Sequence, residues 1–595
     1  MKKKALFLSV ASLFMLSGCA ELDKFLDDFE NKYAPSINVP ETNNNQSSSQ
    51  SENQQNNSNE NQGNQSQGNE NQGNENQGNE NQGEETTSKK IGEFYGGVVE
   101  NNEYTGYEFS KSESEIAKPT TGVGEIKIYA FNDFHGSVVQ NDTEPGLKAV
   151  GTFFKEKSQQ ENTLIFDQGD TWQGSLESNY QYGAIVQDVF NYAGVSLRIV
   201  GNHDFDWGLS HLENTQNRKI GDDYIPALAS NVYDYANGVN GTNQQGQLGK
   251  EYATFVLDNG IKIGVVGVIG SSQITSICTQ LVEDVCFTDH IAKAKEISDY
   301  LRKEKGCDII VVSAHEGTAA IHTSGLDEVS PVSNKRYADL VLSGHDHYKQ
   351  EETENGVKYV QWASNGKSAG LVTLKYNFET NAVVDEDTTV NSYYTNYFKT
   401  YYSETESTIN KMIDDYLEVT EPVASEVLST NFSGTFDDES MARLMTEAIY
   451  DRVSQQEDID FAVCNYARDG FSGSTFTYGD LYKCFPFDNQ IILMNVNTNY
   501  DVNDIKWNFS YSKEENPTPT GGNNYRVAVI DYLGLHQDDN RQPNKFKDAT
   551  NVSVFNDTEG DAPNYRDILY SYLKKNSTKE FNASDYTTSN PHFYK

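Results

Sequence analysis

Between residues 124 and 385, short apolar runs alternate with amphipathic windows. Runs at 126–131, 164–166, 197–200, 261–269, 309–313, 340–342 and 359–362 have the length and composition of buried strands. Windows such as 183–192 and 291–303 carry apolar residues at helical spacing. The alternation predicts an α/β architecture, with helices packed on sheets. Hydrophobicity then breaks near 385–391, and a helical stretch at about 401–417 makes 386–420 a linker and connecting helix. Residues 421–595 read as a smaller α+β region, and 96–123 as a lead-in to the first domain.

The N-terminal part has a different texture. Met1-Lys2-Lys3-Lys4 precedes an apolar run at 5–16, too short to remain in a bilayer as a spanning helix, and so 1–18 reads as a signal peptide. No other stretch approaches the 18 apolar residues that a span requires. Leu16-Ser17-Gly18-Cys19 resembles the bacterial lipoprotein lipobox, which implies a diacylglycerol on Cys19 and a protein lipid-anchored on the outer face of the cytoplasmic membrane. From 41 to 88 the chain is almost wholly Asn, Gln, Ser, Glu and Gly, including five pentads of the NENQG type at 59–83. With no apolar side chains to bury, it cannot repay the entropy of ordering. Residues 19–95 are thus a lipidated Cys followed by a tether, with an r.m.s. reach of about 50 Å.

The chemistry sits where the predicted strands end. The first run leads into Asn132-Asp133-Phe134-His135-Gly136, the second into Asp167-Gln168-Gly169-Asp170, and the third into Gly201-Asn202-His203-Asp204-Phe205-Asp206. Two more lead into Ala314-His315-Glu316-Gly317 and Ser343-Gly344-His345-Asp346-His347. Open α/β sheets place their ligand sites at the carboxyl ends of strands. Asp133 with His135, and His345 with His347, are two apart, so each pair can converge on one centre. Together Asp133, His135, Asp170, Asn202, His315, His345 and His347 supply more ligands than one catalytic ion with an open position can use. They suit two divalent ions of the Zn, Mn or Fe kind, not a Cys-lined zinc or an all-oxygen calcium cage. The remaining histidines (His211, His290, His322, His536 and His592) have no such setting.

The series D-F-H-G, G-D-T-W-Q-G, G-N-H-D-F-D, A-H-E-G and G-H-D-H resembles the calcineurin-like metallophosphoesterases, and within them the 5′-nucleotidase family. The resemblance implies a four-layer metallophosphoesterase sandwich, helices on two packed mixed sheets, followed by a substrate-specificity domain. It implies one metal held by Asp133, His135, Asp170 and His347, and another by Asp170, Asn202, His315 and His345, with Asp170 as the bridge. His203 and Asp206 correspond to the family's catalytic dyad. Asp204 stands where many of these nucleotidases carry Glu. The implied reaction is hydrolysis of a phosphate ester by hydroxide held between the metals. His203 would stabilise the transition state or protonate the leaving group, with Asp206 fixing its tautomer.

The second half resembles the family's C-terminal domain. Asn465-Tyr466-Ala467-Arg468 and Phe485-Pro486-Phe487-Asp488-Asn489 stand for its phosphate-binding and base-binding elements, and Tyr532 with Asp538 has the spacing of the second aromatic wall. The resemblance thus implies substrate binding by Arg468, Phe487, Asn489, Tyr532 and Asp538. Two aromatic faces would sandwich a base, at about 1–3 kcal/mol for the stacking. This chain lacks the Asn-x-Gly-Gly-x-Arg element and the Gly-Gly-Asp of members with well-known sites.

Composition adds one constraint. Among 595 residues, 46 Lys and Arg face 88 Asp and Glu, a formal net charge of −42. Such a chain lacks the basic face that a nucleic-acid polymer needs, and no polymer partner is expected. Small phosphate esters remain compatible, because two divalent ions and Arg468 bring local positive charge. The expected activity is a metal-dependent phosphoric ester hydrolase that cleaves extracellular nucleotides, UDP-sugars or cyclic nucleotides to nucleoside and phosphate. Two other readings are a broad phosphodiesterase without base preference and a non-catalytic surface binding or adhesion lipoprotein on the same fold. Five cysteines beyond Cys19 form no C-x-x-C pair; in an exported protein Cys278–Cys286 or Cys464–Cys484 could be disulfides. Oligomeric state is left open.

Overall fold

The computed structural model describes residues 94–99, 104–112, 114, 116–234, 249–497, 509–514, 524–535, 546, 548–558 and 561–594. All of them lie in the unit Glu85–Lys595. Cys19, the expected tether up to residue 93, His536 and Asp538 lie outside the described residues.

Two mixed sheets form the first domain. In one, the strands Val123–Phe131, Thr163–Asp167, Leu197–Ile199 and Ala227–Leu228 run parallel in succession, with Ser368–Asn377 antiparallel to the first of them. In the other, Lys262–Ile269, Ile309–His315, Leu340–Ser343 and Val357–Gln361 run parallel, in the register Val265↔Val311↔Leu340. Parallel pairing puts the carboxyl ends of neighbouring strands side by side, which gathers the turns that follow them.

Strand alternation builds four layers. Ile126, Ile128 and Ala130 point into a core shared with Ile263, Val265, Val311, Leu340 and Leu342 from the other sheet. The opposite faces of the same strands, Tyr129 and Phe131, pack on the helices Gly146–Ser158 and Ala184–Ala193. On the far side, Val266, Val268, Ile310, Val312 and Val341 pack on Ala294, Ile297 and Leu301 of the helix His290–Lys303. Each fully buried aliphatic side chain gains about 1.5–3 kcal/mol on leaving water. The α/β class expected from the strand and helix pattern, and the four-layer sandwich that the resemblance implies, are the observed architecture.

Two stretches outside 124–385 also take part. Tyr95–Val99, which starts at the last residue of the expected tether, and Gly106–Ser110, in the expected lead-in, are strands of the second sheet, pairing through Gly106–Ser110 to Tyr252–Val256. Thr389–Tyr394, beyond 385, pairs antiparallel with Ser368–Asn377. Its polar sequence hides it, because it is an edge strand with one face in solvent. The connector then consists of two helices, Thr395–Tyr401 and Ser407–Ala424. Glu406 caps the second by accepting from Ile409 N, and Ile409 and Ile413 seat it on the first domain's core.

Among the described residues, the α+β second half carries a six-stranded mixed sheet. Ile491–Asn497 and Phe461–Cys464 flank Asn524–Ile530, the latter in parallel register. The helices Asp438–Val453 and Tyr565–Lys575, capped by Asp437 and Asn564, cover one face. The five described cysteines are all free thiols.

Candidate functional site

Each of the five strand-end turns projects its polar side chains onto one edge of the sandwich. Asp133 and His135 follow Val123–Phe131, Asp170 follows Thr163–Asp167, and Asn202 opens the 3-10 turn Asn202–Phe205. His315 closes Ile309–His315, and His345 and His347 follow Leu340–Ser343. Asp133, His135, Asp170, Asn202 and His315 are buried, and His345 and His347 are half-buried.

The backbone marks the same residues. Among the described residues, Asp133, His135, Asp170, His345 and His347 all have φ between 48° and 80°. The other non-glycine residues there are asparagines, which tolerate this region, and Tyr182. Such conformations persist where the surroundings over-determine them, and they cluster at functional sites. Close approach of two turns adds a glycine requirement: a Cβ on Gly169 would come within 2.6 Å of Gly201 N, and one on Gly201 would strike Asp170 Oδ1.

The side chains converge as two groups, Asp133–His135–His347 and Asp170–His315–His345, with the ligand atoms in each within 4.8 Å of one another. His135 Nδ1–H donates to the carbonyl of Gln173 at 2.9 Å, and His315 Nδ1–H to that of Gln168 at 2.7 Å. Both imidazoles therefore turn an Nε2 lone pair inward, the tautomer that backbone carbonyls impose on metal-binding histidines. His135 Nε2 lies 3.0 Å from His347 Nε2, and His315 Nε2 lies 3.0 Å from Asn202 Oδ1 and 3.2 Å from Asp170 Oδ2. Asn202 Oδ1 is also 3.1 Å from His345 Nδ1. Asp133 Oδ1 and Asp170 Oδ2 are buried and, among the described residues, accept no hydrogen bond. Acceptor facing acceptor in a buried space fits divalent cations held by mixed N and O donors.

The proton affinities follow. Burial lowers His345 to about 4 and His347 to about 3, and holds His135 well below its ordinary value. Burial also opposes a charge on His315, but the Asp170 carboxylate outweighs it and raises this imidazole to about 10. Without a cation that proton sits on Nε2, facing Asp170 Oδ2 at 3.2 Å, and a bound cation would displace it to use the lone pair. Burial works against the charge of Asp170 too, yet His315, His203 and His135 around it hold its carboxyl well below the usual range.

His203 stands just outside the group. Its backbone N–H donates to Asp170 Oδ1 at 2.7 Å, and its Nδ1 faces Asp206 Oδ2 at 2.8 Å. Desolvation opposes its protonation, but Asp206 and Asp170 raise its pKa above the ordinary histidine value. The second half reaches this imidazole directly. The Phe487 ring stacks on His203, with centroids 5.5 Å apart and planes at 24°. The Arg468 guanidinium lies 5.9 Å from the Phe487 ring centre and lowers the proton affinity of His347 and His135. Tyr532 is half-buried within the electrostatic reach of Asp206 and Arg468.

Asn489 is buried in the Phe487 loop, where its carbonyl accepts from Tyr565 N. The buried Arg566 clamps that loop, donating to the carbonyls of Phe485 at 3.0 Å and Phe487 at 2.7 Å and pairing with Asp488. Gln173 ties the halves together, its side chain donating to Pro486 O at 3.3 Å. The expectations above contain neither Arg566 nor the carbonyls of Gln168 and Gln173. A backbone carbonyl leaves no trace in side-chain pattern, and a lone arginine reads as surface.

Comparison with known proteins agrees with this geometry. Residues 126–349 match the calcineurin-like phosphoesterase model, so the chain carries a domain of that kind. Endonuclease YhcR of Bacillus subtilis (strain 168) is 24% identical over 397 residues, 62% of this chain and 32% of that protein. A 5′-nucleotidase of Vibrio parahaemolyticus serotype O3:K6 (strain RIMD 2210633) is 24% identical over 416 residues, 62% of this chain and 71% of that protein. The chain thus spans about a third of the first relative and about seven-tenths of the second. The crystal structure of a 5′-nucleotidase precursor from Thermus thermophilus superposes with a TM-score of 0.61 at 16% identity, covering 76% of this chain and 97% of that one. It shares the metallophosphoesterase fold with its C-terminal domain.

Proposed function

We propose that the protein is a divalent-metal-dependent phosphoric ester hydrolase that cleaves nucleotides to nucleoside and phosphate, held at the outer face of the cytoplasmic membrane by lipid on Cys19. The carrying observation is the convergence of seven donors from five strand ends, with His203 and Asp206 beside them. Asp133, His135, Asp170 and His347 would hold one ion, and Asp170, Asn202, His315 and His345 a second. When bound, such ions activate water at neutral pH and neutralise the charge that develops on phosphorus oxygens.

The chain's own side chains account for the rest. Asp206 accepts Nδ1–H of His203 and leaves Nε2 to address the substrate. Between them, Asp206 and Asp170 favour the protonated imidazole, which suits a proton donor to a leaving oxygen. Arg468 offers a planar fork to the phosphate. Phe487 and Tyr532 present aromatic faces to a base, and Phe487 also covers one face of His203 and keeps water from it.

The formal charge of −42 favours small esters over a polymer, although one relative is named an endonuclease. The test is hydrolysis of AMP, ATP, UDP-glucose, 2′,3′-cyclic AMP and p-nitrophenyl phosphate, read by phosphate release and product chromatography, and of single-stranded RNA, read by fragment length, each with Mn²⁺, Zn²⁺ or chelator. Metal-dependent release from nucleotides, abolished by chelator, is expected. Activity on none of these with any metal would favour a binding lipoprotein, and cleavage of RNA alone would favour a nuclease. Globomycin-sensitive processing, with loss of membrane association in Cys19→Ala, tests the anchor.

A further inference from the structure

Behind the ligand turns lies a charged group that the reaction does not use. Arg198, in the middle of the strand Leu197–Ile199, is fully buried. Its Nη2 donates to Asp204 Oδ2 at 2.6 Å, its Nε stands 4.0 Å from Asp167 Oδ2, and its guanidinium lies 3.9 Å from the centre of the Trp172 ring. Nε and Nη1 have no hydrogen-bond partner among the described residues. Burying an arginine with two carboxylates carries a heavy desolvation cost, and apolar residues of similar volume often serve stability better. Stability alone therefore explains its presence poorly.

The two carboxylates hold backbone. Asp204 Oδ2 accepts from Gly201 N at 2.8 Å, and its Oδ1 from Thr171 N at 3.4 Å. Asp167 Oδ1 accepts from Gly169 N at 3.1 Å, and its Oδ2 from Thr171 Oγ1 at 2.5 Å. One guanidinium thus ties the 167–172 turn, which presents Asp170, to the 201–206 turn, which presents Asn202 and His203. These turns meet at Gly169 and Gly201, where no Cβ fits, so small shifts there move the ligand atoms. Asp204, where many nucleotidases of the resembled family have Glu, is the residue that reaches Arg198.

We infer that Arg198, acting through Asp204 and Asp167, is a positioning residue that sets the spacing between Asp170 and the Asn202–His203 turn for metal binding. The inference rests on the reading of Asp170 and Asn202 as metal ligands.

The test titrates Mn²⁺ into the metal-free full-length protein by calorimetry, with thermal unfolding of the metal-free form and kcat and KM for AMP measured in parallel. Arg198→Met alone would strand two buried carboxylates, so the variants are the doubly neutralised Arg198→Met/Asp204→Asn and the charge-keeping Arg198→Lys. Expected is a loss of Mn²⁺ affinity of about 10–100-fold in whichever variant folds, with kcat reduced and KM little changed, the range seen when groups supporting metal ligands are removed. A merely structural role would lower the melting temperature and leave Mn²⁺ affinity alone. Wild-type Mn²⁺ affinity in either folded variant overturns the inference. Absence of Mn²⁺ binding in the wild-type protein would instead overturn the metal-centre reading beneath it.

Discussion

The ligand turns of the first half and the aromatic loop of the second meet at one imidazole, yet they are built on opposite plans. The ligand turns hang from parallel strands whose both faces are buried, and five of their residues adopt left-handed φ. Phe487 sits on a loop outside regular structure, braced by Arg566 and by the buried carboxylate of Asp531, which accepts from Gln490 N at 3.1 Å. Chemistry that must place several atoms within a fraction of an ångström rests on the sheet edge. On the proposed function, recognition, which tolerates variation from one substrate to the next, would rest on a loop.

That contrast breaks most severely at Asp170. Asp170→Ala removes the carboxylate of the Asp170–His315–His345 group, which the proposed function makes a ligand of both ions, and the acceptor of His203 N. The expected outcome is loss of both bound metal and detectable phosphate release, read by elemental analysis and a phosphate assay. Retained activity would detach the chemistry from the strand ends. Phe487→Ala tests the loop side more gently. KM for AMP should rise about 5–100-fold, equivalent to about 1–3 kcal/mol of stacking, while turnover of glycerol phosphate, which has no ring, changes far less. Equal effects on both substrates would make Phe487 a cover for His203 and not a base wall.

The smallest effect concerns the brace. Burial pushes the Asp531 carboxyl up to about 6, against about 4 in an unfolded chain. The folded protein keeps a proton that the unfolded chain releases between these values, so this group's contribution to stability is full below about pH 4 and lost as pH rises through about 6. Urea unfolding at pH 4.5 and 7 should show a decline in the wild type that Asp531→Asn reduces by up to about 2 kcal/mol. An unchanged pH dependence in the variant would show that Asp531 is ionised throughout.

The same contrast explains what was legible. Apolar runs ending in Asp-x-His or Gly-His-Asp-His revealed the strands and the ligand set together, because a buried parallel strand is apolar throughout and its polar end stands out. The edge strand Thr389–Tyr394 has no such run, since one face meets solvent. Arg566 looks like any surface arginine in sequence, and Arg198, although inside the apolar run 197–200, shows no partner there. Their burial arises from turns distant along the chain, Asp204 and Asp167 in one case and Phe485–Asp488 in the other. The family resemblance pointed to Phe487, but its contact with His203 comes from packing between the two halves.

The central claim is that the strand-end donors bind metal while His203, oriented by Asp206, acts on the substrate from outside that set. It is tested most directly by measuring bound metal and AMP turnover on the same preparation of His203→Ala. The account predicts wild-type metal content with kcat reduced about 10²–10⁴-fold. Loss of metal from that variant, or undiminished turnover, would contradict it.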